Sequence, residues 1–373
     1  MKKISKLMFV AAAALLVCGL SSCDDNKTYE YALVTDVGDI DDQSFNQSAW
    51  EALKAFAEKN DKSYTYYRPT EDSTDARLVS INQAVKKGAK IIVCPGYLFE
   101  EAVYDAQTKY PDVKFVLIDG QPHTSDYATY ETKTNTVSIL FQEQISGYLA
   151  GYAAVMDGNR SLGYCGGMAV PSVQRFGTGY VQGAEYASKK LNVKTTLKYY
   201  YAGAFQATDA ATALMKSWYK ANIDTVFACG GKVYQSVVEG AKSGKSGSTW
   251  IGVDSDQNHV DPDKVLTSAV KGLTESVTSA LEVYANDSWS DIAGKEYNLG
   301  LASEFGKLEK KDYVGIPTTD SSWKFKTFSK SDLSSIIADI KSGKAVISDD
   351  TSKAPTTEYC TVDWVSAFTG SAE

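Results

Sequence analysis

Apolar positions along this chain come in short blocks separated by polar turns, and the spacing inside the blocks alternates between two kinds. Residues 29–35, 64–68, 91–95, 114–119 and 135–141 form short runs, several rich in β-branched and aromatic residues, which predict strands. Between them lie stretches with helical spacing: a helix opening at Ser44, one over 75–88 with Leu78, Ile81 and Val85 on one face, and one over about 99–109. A helix over 142–156 follows, with Ile145, Leu149, Tyr152 and Ala153 at helical spacing, and then the alternation starts again. Strands are predicted at 161–165, 195–201, 225–229 and 250–254, with helices over 176–191, 209–222 and 233–241 between them. Such a series predicts an α/β fold with parallel sheets covered on both faces.

The second series repeats the first. Thr74-Asp75-Ala76 matches Thr208-Asp209-Ala210, Cys94-Pro95-Gly96 matches Cys229-Gly230-Gly231, and Ile118-Asp119 matches Val253-Asp254. The last two pairs share one offset, so two similar Rossmann-like lobes are expected, each with a carboxylate at the end of the matching strand. Lobes that face each other with their strand ends inward leave a cleft suited to a small polar ligand. Asp36 and Asp119 would line one wall and Asp254 the other, although each taken singly also suits a helix cap. Past residue 254 the pattern loosens to a strand at 265–270, helices over 274–284 and 333–341, and short apolar groups such as Tyr313-Val314-Gly315-Ile316. The expected division is 29–142 with about 265–295 in the first lobe, and 143–264 with about 296–373 in the second.

The stretch from Asp36 to Trp50 carries the most chemistry. It follows the first strand, and Ser44 with Gln47 three residues on reads as a capping box opening a helix. Phe45, in the first turn, is placed either as a stacking plate at the mouth of the cleft or as a staple or core residue. The acidic group Asp39, Asp41 and Asp42 lacks the ligand spacing of an EF-hand loop, so a solvated loop is expected there.

Composition narrows the function. A hydrophobic fraction of 43% excludes wholesale disorder, and 24 tyrosines suit half-exposed faces and clefts as well as cores. Net charge is -8, and more acidic without the leader lysines, which disfavours nucleic acid. Lys2, Lys3 and Lys6, an apolar run from Leu7 to Leu20 too short to span a bilayer, and Leu20-Ser21-Ser22-Cys23 form a leader that resembles a bacterial lipobox. Residues 1–22 are thus expected to be removed, Cys23 to carry lipid including palmitate, and 23–28 to tether the chain to the membrane. Cys94, Cys165 and Cys229 end apolar runs and read as small buried hydrophobes, with no metal site and no cofactor expected.

Recognised catalytic motifs are missing. Gly177-Thr178-Gly179 with Gly183 has the wrong last spacing for a dinucleotide fingerprint and lies away from its strand, so close helix packing is the expected role. There is no P-loop and no nucleophile elbow. An enzyme is not expected.

Several blocks do resemble one known family. Asp36-Val37-Gly38-Asp39, Asp42, Ser44-Phe45-Asn46-Gln47-Ser48, Gly147-Tyr148-Leu149-Ala150-Gly151, Gly166-Gly167-Met168, Arg175-Phe176-Gly177, Gly179-Tyr180 and Gly252-Val253-Asp254-Ser255-Asp256-Gln257 are similar to basic membrane protein (BMP) family lipoproteins. The resemblance covers residues 31 to about 281. It implies the type I periplasmic-binding fold and delivery of a nucleoside, notably a purine nucleoside, to the permease subunits of an ABC importer. It further implies that Phe45 and Phe205 sandwich the base from opposite lobes and that Asn46 and Asp119 hold polar edges of the ligand. Asp254 and Lys271 would meet the ribose hydroxyls, with Asp36 near the base and Gly231 in the ligand-binding wall. One departure is Lys232, where the family usually has a small residue. Aromatic plates, hydroxyl-binding carboxylates and an acidic cleft that repels phosphate suit a nucleoside on physical grounds alone. A monomeric, lipid-anchored receptor is expected on the extracytoplasmic face of the cell membrane; the alternatives are a sugar- or autoinducer-type binding protein and a surface sensor or adhesin.

Overall fold

The computed structural model describes residues 27–370, so the leader, Cys23 and most of the tether lie outside the described residues. The chain first builds β1 (Tyr31–Val34), α1 (Phe45–Lys59), β2 (Tyr64–Tyr67), α2 (Thr74–Lys86), β3 (Ile91–Pro95), α3 (Glu100–Lys109), β4 (Lys114–Ile118) and β5 (Thr136–Phe141). It then crosses over and builds α4 (Glu143–Met156), β6 (Ser161–Gly166), α5 (Pro171–Leu191), β7 (Thr195–Tyr201), α6 (Asp209–Lys220), β8 (Thr225–Cys229), α7 (Tyr234–Ala241), β9 (Thr249–Asp254) and β10 (Val265–Lys271). A second crossover leads to α8 (Leu273–Ala285) and β11 (Glu296–Leu299), and a third to β12 (Val314–Gly315), α9 (Lys330–Lys341) and β13 (Cys360–Trp364).

Two sheets result, with strand orders β11-β5-β4-β3-β1-β2 and β12-β10-β9-β8-β6-β7-β13. All pairings are parallel except β10 with β12. The expected α/β architecture of two parallel-sheet lobes is therefore present. The expected division after residue 264 needs correction at two strands: β10 belongs to the second sheet, and β11 returns to the first. Local patterning cannot reveal this, because both strands are ordinary apolar or mixed runs and only their pairing partners decide the lobe. The three crossovers lie side by side. The Gln142 N–H donates to Leu299 O at 2.9 Å, Gly272 N–H to Tyr313 O at 2.7 Å and Tyr313 N–H to Gly300 O at 2.9 Å.

The repeat is real in topology but slips in register. The N-caps of α2 and α6 are Ser73 and Thr208, each accepting from the backbone N–H three residues on, so Thr74 corresponds to Asp209 and not to Thr208. At the next strand the positive-φ glycines Gly96 and Gly230 correspond, each opening a short 3-10 turn. Asp119 and Asp254 match as expected, and both adopt left-handed backbone, φ 62° and 65°.

Helix α5 begins at Pro171, five residues before the predicted start, because Pro at the first helical position is pre-organised for a helix. Its glycines sit inside the helix and pack as the sequence suggested. A Cβ on Gly179 or Gly183 would lie 2.0 Å from Gln144 O or Tyr148 O, and one on Gly147 would lie 2.0 Å from Phe176 O. The α4–α5 pair is thus in backbone contact and fixes the second lobe. Many of the tyrosines belong to the core: Tyr148, Tyr152, Tyr164, Tyr180, Tyr199 and Tyr219 are fully buried. Cys94, Cys165, Cys229 and Cys360 are buried and free, as small hydrophobes are.

Candidate functional site

The loop from β1 to α1 is organised by Asp42 and not by the expected capping box. Ser44 makes no side-chain cap bond. Instead Asp42 Oδ1 accepts from the Ser44 and Gln47 N–H groups at 2.9 and 3.1 Å, and its Oδ2 accepts from Asn46 N–H at 3.0 Å. Gln47 is turned back on Gln43 N–H at 2.9 Å. Asp42 is only 2% exposed, so the expected solvated acidic loop holds at Asp41 and in part at Asp39 but not at Asp42, where burial pushes the carboxyl up to about 6 despite those three donors. Asn46 is held in turn: its amide donates to Asp36 Oδ1 at 2.8 Å and to Asp42 Oδ2 at 3.2 Å. Burial likewise raises Asp36.

Between the lobes lies a cavity whose empty space, counting its opening to solvent, is about 640 Å³. All eight residues singled out in the sequence reach its wall: Asp36, Phe45, Asn46 and Asp119 from the first sheet's side, and Phe205, Gly231, Asp254 and Lys271 from the second. Phe205 rests against Gly167 and Gly230, where any Cβ would come within 3.0 Å of its ring, so glycine at both positions makes room for the aromatic wall.

Lys271, at the end of β10, is the centre of the cavity's charged end. Its Nζ lies 2.5 Å from Asp119 Oδ2, 3.5 Å from Glu143 Oε1 and 3.7 Å from Asp254 Oδ1. The ammonium also stands 4.7 Å from the Phe45 ring centroid. Glu143 is fully buried in the first turn of α4, and Arg175 Nε donates to its Oε2 at 2.6 Å. Burial alone would lower Lys271, but Asp119, Asp254 and Glu143 outweigh it and hold the ammonium protonated. Three carboxylates face two cations, so one negative charge is left over. Burial, reinforced by Glu143, accordingly pushes Asp119 up to about 6 against the pull of Lys271. Asp119 Oδ1 and Arg175 Nη2 are buried without a hydrogen-bond partner within the protein.

The lobes also touch directly. Ser44 Oγ donates to Asp254 Oδ2 at 2.6 Å, and the carbonyl of Gln43 accepts from Ser255 Oγ at 3.0 Å and Gln257 Nε2 at 2.9 Å. Gln43 adopts φ 57°, an uncommon conformation for a residue with a side chain, in the loop that makes these bonds. Lys232 Nζ reaches Asp39 Oδ2 at 3.0 Å and Asp41 Oδ1 at 2.8 Å. No group of side chains suited to a metal ion occurs among the described residues.

Residues 30–343 match the family model described as ABC transporter substrate-binding protein PnrA-like. The chain belongs to this family. Among curated relatives it is 29% identical over 329 residues to the CD4+ T-cell-stimulating antigen of Listeria monocytogenes, covering 83% of this chain and 88% of that one. It is also 29% identical over 352 residues to the ABC transporter nucleoside-binding protein BmpA of Lactococcus lactis, covering 86% and 96%. Among solved structures it resembles an ABC transporter solute-binding protein from Aeropyrum pernix, with TM-score 0.66, 22% identity and coverage of 85% and 80%. An arabinose-binding protein from Geobacillus stearothermophilus follows at TM-score 0.56 and 14% identity, covering 80% of this chain and 99% of the other. These likenesses show the fold of periplasmic solute-binding proteins.

As a PnrA-like protein, the chain captures a ligand for an ABC importer on the extracytoplasmic side and is a binding protein, not an enzyme. No helix among the described residues is long and apolar enough to cross a membrane. The cavity of this family member also uses groups that sequence reasoning passed over. Glu143 looks like an ordinary acidic first-turn residue, and only the packing of α4 against α5 and β10 sets it between Lys271 and Arg175. Arg175 and Phe176 stood in a family-like block, yet without an assigned role; Phe176 lines the cavity 5.6 Å from Lys271.

Proposed function

We propose that the chain is a receptor for a nucleoside, with a purine as the preferred base. The observation that carries this is the cavity's lining: aromatic side chains Phe45 and Phe205 from opposite lobes together with a buried Asp119–Lys271–Asp254 group. A planar base fits between aromatic plates, and vicinal hydroxyls suit carboxylates that hold acceptor oxygens ready, such as the unpartnered Oδ1 of Asp119. In this reading Asp36 and Asn46 would take the base edge and Asp254 and Lys271 the ribose hydroxyls; all four line the cavity, and Gly231 allows the chain to pass close to Phe205. The leftover negative charge disfavours a phosphate. The nucleoside-binding name of the Lactococcus lactis relative supports the same reading.

Isothermal titration with inosine, guanosine and adenosine, against free ribose, arabinose and a nucleoside monophosphate, tests it. One site per chain with a purine nucleoside and none with the monophosphate is expected; tight binding of a free sugar alone would replace the nucleoside by a sugar. We further propose a monomer anchored to the cell membrane through lipid on Cys23, including palmitate. Mass spectrometry of the membrane fraction should find an acylated chain beginning at residue 23, and an unmodified start elsewhere would end that part of the proposal.

A further inference from the structure

Lys232 sits in the 3-10 turn Gly231–Val233 that follows β8, and its backbone N–H donates to Phe205 O at 2.8 Å. Its stem is therefore fixed to the aromatic wall, and its side chain lines the cavity. The ammonium crosses to the first lobe, where it meets Asp39 and Asp41. Asp39 is shared with Arg68 of its own lobe, whereas Asp41 is 74% exposed and pairs with Lys232. Other contacts between the lobes differ in kind: Gln43 with Ser255, Gln257 and His259 makes hydrogen bonds, Ser44 donates to the buried Asp254, and Lys271 with Asp119 is nearly sealed from solvent. The Lys232 pair is thus a cross-lobe ion pair open to dissolved salt, and mobile ions screen such pairs far more than buried ones.

A molecule held between walls that belong to different lobes leaves only when the lobes part, and parting them separates Lys232 from Asp39 and Asp41. We propose that Lys232, with Asp41 and Asp39, is the gate of this cavity: the pair breaks whenever a ligand enters or leaves, and it sets the exchange rate and its salt dependence. The inference rests on the reading that the ligand binds in this cavity, and it adds the residue that controls passage. It gives Lys232 a role other than contact with the ligand, since its charge is already engaged by two carboxylates.

Release of guanosine is measured by stopped-flow displacement for the wild type, Lys232→Met, Asp41→Asn and the double variant, at about 20 and 500 mM NaCl. Lys245→Met, which removes an ion pair to Asp224 within the second lobe, is the control. At low salt Lys232→Met is expected to release ligand about two- to fivefold faster, the range of a partly exposed pair. It should also lose most of the acceleration by salt that the wild type shows, and adding Asp41→Asn to it should change little. Release as slow and as salt-dependent as in the wild type overturns the gate, as does an equal effect from Lys245→Met. Small-angle scattering of the ligand-free protein separates this from the question of ligand identity. The wild type should expand between low and high salt, and Lys232→Met should be expanded already at low salt; a radius of gyration indifferent to both overturns the gate. Absence of guanosine binding in every form, with the scattering response intact, would refute the nucleoside and leave the gate standing.

Discussion

Phe45 and Phe205 are only partly buried, one at the head of α1 and the other in the loop after β7, and both pack against the core while lining the cavity. Replacing either with Ala should remove about 1–3 kcal/mol of stacking, a roughly tenfold to hundredfold loss of nucleoside affinity by titration calorimetry. The melting temperature should fall far less than for a core Phe, whose truncation costs about 3–5 kcal/mol. Unchanged affinity with a large thermal loss would place both rings in the core. Asp119 offers a second test, through pH. Its folded carboxyl is raised to about 6, above an unfolded value near 3.8, so the folded state binds the extra proton. Its contribution is therefore most favourable below the unfolded value and is lost as pH rises through the folded one. Asp119→Asn leaves Glu143 and Asp254 balanced against Lys271 and Arg175. Relative to the wild type, this variant should gain stability by about 1 kcal/mol per pH unit between about pH 4 and 6, read from denaturation midpoints. A difference that is flat over this window would show that Asp119 keeps no proton there.

Among the elements, α4 and α5 form the densest contact, and its closeness rests on small residues at facing turns. Gly183→Ala would drive a methyl against the Tyr148 carbonyl, a backbone group that cannot move aside. Overpacking of this kind costs about 1–3 kcal/mol, so the urea midpoint should drop while ligand affinity, measured in the remaining folded protein, changes little. Glycine spacing was readable along the sequence, and close helix packing was the right inference from it. The start of α1 was not. A Ser followed by Gln at the third position has the form of a capping box, yet Asp42 was closer to the orphan N–H groups and took them, leaving Ser44 free to bond Asp254 of the other lobe.

At the scale of the whole molecule, three neighbouring crossovers join lobes that close on each other, with Gly272, Gly300 and Gln142 at the junctions. A ligand that bridges the lobes binds the folded, closed form and not the unfolded chain. Guanosine at about a hundred times its dissociation constant should therefore stabilise the protein by about 2.7 kcal/mol, visible as a rise of the melting temperature. The corresponding monophosphate should leave it unchanged. Equal shifts from both would mean that the charged end of the cavity does not discriminate against phosphate.

Local patterning by itself determined the alternation of strands and helices, the doubling into two lobes and the carboxylates at matching strand ends, because periodicity and turn chemistry are local properties. Phe45 and Asp254 were legible for the same reason: both stand directly at the end of a strand or the start of a helix. The sheet that β10 and β11 join, the one-residue slips between the repeats and the partners of Asp42 were decided only in three dimensions, by long-range pairing. So was the gathering of Glu143, Arg175, Asp119, Asp254 and Lys271 into one buried cluster. Those residues are far apart in sequence, and the charge left over among them exists only once the lobes bring them together.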